Sequence, residues 1–179
     1  MTKDNNHNLS PVYPSSPLSV LTFRLGGQVY GLPITAVAQI IEMVTLTHLP
    51  QLPFAVQGVI NLRGKIVPVL DLRTRFGLPF KSYQLHTPII LTHLNGQTLG
   101  LVVDWVEEVV EISASDLETG EMILPSILSS SQLGSGPLSC LAGVAKVERQ
   151  LVLILKVEII MSLDEQFQLV EQIANSSIV

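Results

Sequence analysis

The sequence predicts an all-β domain, a barrel or sandwich of short strands, and three observations carry that prediction. Apolar runs rich in β-branched and aromatic residues recur along the chain. Two-residue turn signals separate them, at Gly26-Gly27, Arg63-Gly64 and Asn95-Gly96. The runs also follow one another too closely to leave room for crossover helices, and one substantial helix closes the chain.

Residues 1–18 are polar, with Pro11, Pro14 and Pro17 among serines, and cannot bury enough apolar area to offset ordering; a disordered tail is expected. VLTFRLGGQVYGLPI reads as a hairpin about Gly26-Gly27, and AVAQIIEMVTLTHLP as an extended run ended by Pro50 and Pro53. PFAVQG is expected to form one helical turn. VQGVINLRGKIVPVLDLRTRFG then gives a hairpin, with strands Val59 to Leu62 and Lys65 to Leu70, after which Asp71 caps a short helix that Gly77 stops. Pro68 cannot donate to a ladder, so its strand is expected at an edge or at a bulge. TPIILTHL and QTLGLVVDWVEEVVEI flank the Asn95-Gly96 turn, residues 126–139 read as a loop, and LAGVAKVERQLVLILKVEII supplies two strands about Glu148-Arg149-Gln150. Ser162 followed by Glu165 is a capping-box signature, and Leu163, Phe167, Val170 and Ala174 line one face of the closing helix. No sequence repeat is evident, although a pattern of hairpin, strand and hairpin occurs twice.

The 179 residues are 47% hydrophobic and 14% charged, against about 25% charged in a typical domain. Either the core is large or part of the surface is sticky and meets partners. No uncharged apolar run reaches the ~18 residues of a membrane span, and the N-terminus lacks the apolar core of a secretory signal, so a cytoplasmic protein without direct membrane insertion is expected. The net charge of −5 argues against nucleic acid as a partner. Arg63, Lys65, Arg73, Arg75 and Lys81 make residues 61–81 basic, whereas Asp104, Glu107, Glu108, Glu111, Asp116, Glu118 and Glu121 lie in a stretch free of basic residues. Two such regions suit a protein partner, or are two ordinary solvated faces.

Signatures of catalysis are missing from the sequence: it has no nucleophile elbow, phosphate-binding loop or zinc-protease helix. Gly134-Ser135-Gly136 is followed by Pro137 and reads as a loop. His7, His48, His86 and His93 lack metal-ligand spacing, with His86 and His93 on opposite faces of an extended run, and Cys140 is the single cysteine, so neither a metal nor a cofactor is expected. Glu107 and Glu108 are adjacent and cannot share one strand-lined cleft as an acid/base pair. Trp105, beside Asp104, fits either core packing or a partner interface. An enzyme is not expected.

Gly58, Asn61-Leu62-Arg63-Gly64, Ile66-Val67-Pro68-Val69 and Asp71-Leu72 together resemble the signature of the CheW-like domain, found in bacterial chemotaxis coupling proteins and at the C-terminal end of CheA-type histidine kinases. FRLGGQVYGLPITAVAQII resembles the family's opening strands, LGLVVDWVEEVVEI its middle hairpin and LAGVAKVERQLVLILKVEII its closing one, so the resemblance covers about residues 19–163, with residues 164–179 left as an amphipathic helix and tail. It implies two intertwined SH3-like five-stranded β-barrels and a non-enzymatic scaffold that couples chemoreceptor tips to the regulatory domain of a CheA-type kinase in a motility signalling array. The runner-up is a small-ligand or nucleic-acid-binding β-barrel with a similar strand pattern, which needs a basic groove with exposed aromatics.

Carried over from the family, receptor binding falls to Arg63 and, on the AVAQII strand, Val37 and Gln39. The sequence departs from the family at Gln39 and at Lys156, both places where acidic residues are common; a neutral Gln39 keeps hydrogen bonding but loses a charge, which shifts partner specificity. Gly58 and Gly64 suit turn geometry, and Asp71 suits an N-cap. Arg63 stands where a two-residue hairpin favours Asn, Asp or Gly. A type I turn ending in a glycine bulge would let Gly64 alone take positive φ, leaving partner contact to explain the choice of a long, permanently charged donor.

Overall fold

The computed structural model describes residues 17–119 and 140–176, so the tail expected over residues 1–18 falls outside it up to residue 16, as does the loop expected over 126–139. The strands are β1 (Leu18–Leu25), β2 (Gln28–Pro33), β3 (Val37–Glu42), β4 (Val56–Leu62), β5 (Lys65–Asp71), β6 (Pro88–Leu94), β7 (Gln97–Val102), β8 (Trp105–Ile112), β9 (Leu117–Thr119), β10 (Leu141–Val147) and β11 (Gln150–Leu155). Among the described residues two α-helices accompany them, α1 (Leu72–Arg75) and α2 (Leu163–Asn175).

The strands form two sheets, ordered β8-β1-β2-β11-β10-β9 and β3-β6-β7-β5-β4. Each closes on itself. In the second sheet the chain leaving β3 reaches Thr47, which exchanges two 2.9 Å backbone bonds with Val59 of β4. In the first, the chain leaving β8 makes a 3₁₀ turn and returns as β9 against β10. The result is a middle barrel of β3–β7 and a terminal barrel of β1, β2 and β8–β11, so the chain starts in one barrel, completes the other and comes back. The two have the same wiring with the order permuted: an edge strand (β3 or β8) joins a hairpin (β6-β7 or β1-β2) that pairs in parallel with a second hairpin (β5-β4 or β11-β10). The repetition extends to close backbone approaches. A Cβ on Gly58 of β4 would stand 2.7 Å from the Thr47 carbonyl oxygen, and one on Gly143 of β10 would stand 2.6 Å from that of Glu118.

Alternation within the strands explains the apolar excess. On β1, Val20 faces a cluster inside the terminal barrel while Leu21, Phe23 and Leu25 face a larger one shared by both barrels. On β6, Ile89 and Leu91 point into the middle barrel, and Ile90 and Leu94 into the shared core. Central strands therefore bury both faces, and each such side chain stabilises the fold by about 1.5–3 kcal/mol. Phe23, Tyr30 and Phe76 stack in series across the shared core, and Cys140 is buried there too, its thiol donating to the Ile159 carbonyl.

Three expectations need correction. PFAVQG makes no helical turn; a 2.9 Å bond from the Val56 N–H to the Pro53 carbonyl closes a β-turn, and β4 begins at once because Val56 enters the shared core. Pro68 lies neither on an edge strand nor in the bulge, which falls across the ladder between Val56 and Gly58. β5 is interior, but Leu62 and Lys65 flank the turn as a hydrogen-bonded pair, so alternation aims the Pro68 nitrogen away from β4. It faces the side where pairing with β7 starts only at Val69, and no ladder donor is lost.

The turn at Arg63-Gly64 is not a bulged type I turn. Both residues take positive φ, 52° and 83°, the signature of a type I′ turn. The register Leu62↔Lys65 leaves a two-residue loop, whereas the bulged form needs three. As expected, α2 carries the capping box, Ser162 with Glu165, and an apolar stripe on one face, and that stripe is exposed. It docks through Leu169, 4% exposed, and Ile173, while Leu163 and Phe167 are 68% and 74% exposed.

Candidate partner-binding surface

Arg63 sits at the exposed tip of the β4–β5 hairpin, and among the described residues its side chain makes no hydrogen bond or ion pair. The turn is held by its neighbour: Asn61 Oδ1 accepts a 2.8 Å bond from the Gly64 N–H. An L-residue in the left-handed region costs about 1–2 kcal/mol, and among the described residues no bond of the Arg63 side chain offsets that cost.

Val37 and Gln39 lie on β3, an edge strand whose residues are mostly exposed. Two residues apart on a regular strand, they would share a face. A register shift between them, Val37 opposite Thr92 and Gln39 opposite Leu91, separates them instead: Val37 packs against the shared core and Gln39 is exposed. Arg63 and Gln39 thus belong to the two end strands of the middle-barrel sheet, which meet at the Thr47–Val59 bridge, and no hydrogen bond links their side chains.

The sequence-adjacent basic residues do not form one basic face. Arg73 and Lys81 both turn to Asp104, Arg75 pairs with Glu165 of α2 at 3.0 Å, and Arg24 pairs with Glu107. Arg63 and Lys65 are left at the hairpin tip. With most of the basic run so engaged, the groove that a nucleic-acid-binding barrel requires is not built from it.

Asp104 also accepts a 2.9 Å bond from the Gly26 N–H, so it ties the β1–β2 turn of the terminal barrel to α1 of the middle barrel. Trp105 beside it is 58% exposed, which removes core packing as its role. Asp71 is fully buried; Oδ1 caps α1 by accepting from the Arg73 N–H at 2.7 Å, and Oδ2 accepts from the Tyr83 hydroxyl at 2.7 Å. Burial, and then the bond to Asp71 and its charge, push the Tyr83 phenol well above its ordinary range. Burial also raises that of Tyr30. Sequence reasoning missed Tyr83, the bond from the Gly26 N–H to Asp104 and the exposed Phe80 and Leu85, because loop residues carry no periodicity and their partners are distant in the chain.

Among the described residues no group of His, Cys, Asp and Glu is arranged to hold a metal, and no helix is long and apolar enough to cross a membrane.

Comparison with known proteins agrees with this architecture. The CheW-like domain matches residues 19–165. The chain is 31% identical to the chemotaxis protein CheW of Klebsiella aerogenes, over 87% of this chain and 88% of that one. It is 30% identical to the chemotaxis protein CheW of Helicobacter pylori, over 82% and 83%. The crystal structure of the scaffolding protein TtCheW from Thermoanaerobacter tengcongensis superposes with a TM-score of 0.70 at 30% identity, covering 83% of this chain and 95% of that one. A matched domain that spans both barrels, with relatives aligned over most of their length, shows that this chain belongs to the CheW-like domain family.

Proposed function

We propose that this protein is a non-enzymatic scaffold that couples chemoreceptors to a CheA-type histidine kinase, binding the cytoplasmic tip of the receptor and the regulatory domain of the kinase. It works in the cytoplasm and reaches the membrane through receptor arrays. Similarity to chemotaxis proteins and to a scaffolding protein supports the coupling role. The observation that carries the site is Arg63: a permanently charged fork, held in a costly backbone conformation at a hairpin tip, with no partner among the described residues. Val37 and Gln39 extend the receptor surface along β3, and Gln39 sets which receptor is accepted. Trp105 offers an exposed aromatic anchor on the terminal barrel for a second partner.

The test is binding by the purified full chain to a soluble receptor cytoplasmic fragment and, separately, to the kinase regulatory domain. Arg63→Glu is expected to weaken receptor binding at least about tenfold, roughly 1.4 kcal/mol, while circular dichroism and kinase binding stay unchanged. Wild-type receptor affinity in that variant would remove Arg63 from the site.

A further inference from the structure

The packing of the described residues leaves the apolar stripe of α2 exposed. Leu163, Phe167, Val170 and Ala174 are spaced four, three and four residues apart, the a/d rhythm of a coiled-coil seam, and all are exposed. The seam forms one wall of an elongated groove. Two adjoining hollows share Pro68, Gln97, Thr98 and Val170, so the groove runs along the helix against the β6–β7 hairpin and the start of β5, which pairs with β4 but not yet with β7.

The charges beside the seam select its occupant. Asp164 and Glu171, seven residues apart, follow Leu163 and Val170 directly and therefore line one flank; both are exposed and neither forms an ion pair among the described residues. The opposite flank is the neutral Gln166 and the partly buried Ile173, and the one cation lining the groove among the described residues, Lys65, stands on the facing β5 wall rather than beside the acidic flank. A second copy of α2 laid antiparallel on the first would set acidic flank against acidic flank, a repulsive arrangement. A helix with apolar residues at heptad spacing and Lys or Arg along one flank meets no such obstacle.

We infer that the α2 groove docks an amphipathic helix of a partner protein that carries basic residues beside its apolar seam. The groove reaches Lys65 on the hairpin that carries Arg63, but Arg63, Val37 and Gln39 do not line it, and the inference does not depend on their role.

The test uses the full chain and two fluorescein-labelled synthetic helices of three heptads, both with Leu at a and d, one with Lys and the other with Glu at the flanking positions. Anisotropy is expected to show the Lys helix binding at least about tenfold more tightly than the Glu helix. Phe167→Glu, at an exposed position that leaves the fold intact, should cost the Lys helix at least another tenfold. The sign is diagnostic, because an added carboxylate would strengthen attraction that was merely electrostatic. The double variant Asp164→Lys, Glu171→Lys should reverse the preference. Equal binding by wild type and Phe167→Glu, binding of neither helix, or a wild-type dimer in sedimentation that Phe167→Glu dissolves would each overturn the inference; the last would assign the seam to a second copy. Receptor and kinase binding by the same Phe167→Glu preparation should be unchanged, so this outcome is separable from the Arg63 test.

Discussion

Replacing Arg63 by Asn should stabilise the protein and disable it. The hairpin turns at Arg63-Gly64 and Asn95-Gly96 have almost the same backbone, φ 52° and 83° in one and 49° and 79° in the other, but only the second has the favoured dipeptide. A residue with a Cβ in the left-handed region costs about 1–2 kcal/mol, and Asn recovers part of it through its short polar side chain. Arg63→Asn removes no side-chain bond recorded among the described residues, and the Asn61–Gly64 bond that holds the turn is untouched. The expected gain is therefore about 0.5–1 kcal/mol, or roughly 1–4 °C in the thermal midpoint for a chain of this size. Thermal and urea unfolding followed by circular dichroism measure it. Receptor-fragment binding by the same variant should fall about tenfold or more, as in a stability–activity trade-off. An unchanged or lowered midpoint would mean that the arginine backbone is not strained. A raised midpoint with intact receptor binding would be worse, because it would remove the reason given for keeping an arginine there.

Two further predictions follow from the ends of the middle strands. Tyr83→Phe leaves the buried Oδ2 of Asp71 without its donor and should cost about 1–3 kcal/mol in urea unfolding. It should also alter the alkaline limb. Since the native phenol keeps its proton above the ordinary tyrosine value of 10.0, the wild-type contribution is full below that pH and declines as pH rises past it; the variant should lack that part of the decline. Lys156→Asp should stabilise by about 0.5–1 kcal/mol, because Lys156 precedes a 3₁₀ turn with φ −99° and ψ 116°, nearly the −91° and 114° at which Asp71 caps α1, yet supplies no cap bond. A lower thermal midpoint in Lys156→Asp would show that the two strand ends are not equivalent.

What was legible in the sequence was local. Gly26-Gly27, Asn95-Gly96, Asp71 before its short helix and Ser162 with Glu165 each act through backbone geometry within a few residues, and each stands in the structure where its chemistry requires. The pairings β2 with β11 and β5 with β7 were not legible, because parallel neighbours come from distant hairpins and leave no turn signal. Charge misled for the same reason. Arg73, Arg75 and Lys81 look like one basic patch when read in order, yet they turn to Asp104 and Glu165, 31, 90 and 23 residues away along the chain. Of the candidate site, the family motif located Arg63, but its strain became visible only once the Leu62↔Lys65 register fixed a two-residue loop.

Periodicity located the stripe on α2 but not what surrounds it. A stripe at Leu163, Phe167 and Val170 says that one face is apolar, and the ordinary inference is that the protein covers it. Here the helix is anchored by other means: Leu169 in the shared core, Arg75 on Glu165, Asn95 on Gln166, and Gln168 on the Gln51 carbonyl. Polar bonds on both sides of the buried stripe fix the rotation of the helix, so the remaining apolar residues are held outward rather than left there by loose packing. A helix seated only by its hydrophobic face would roll to bury Phe167. This one cannot do so without breaking the bonds to Arg75, Asn95 and Gln51, which is the physical reason that its exposed seam reads as a surface kept for a partner.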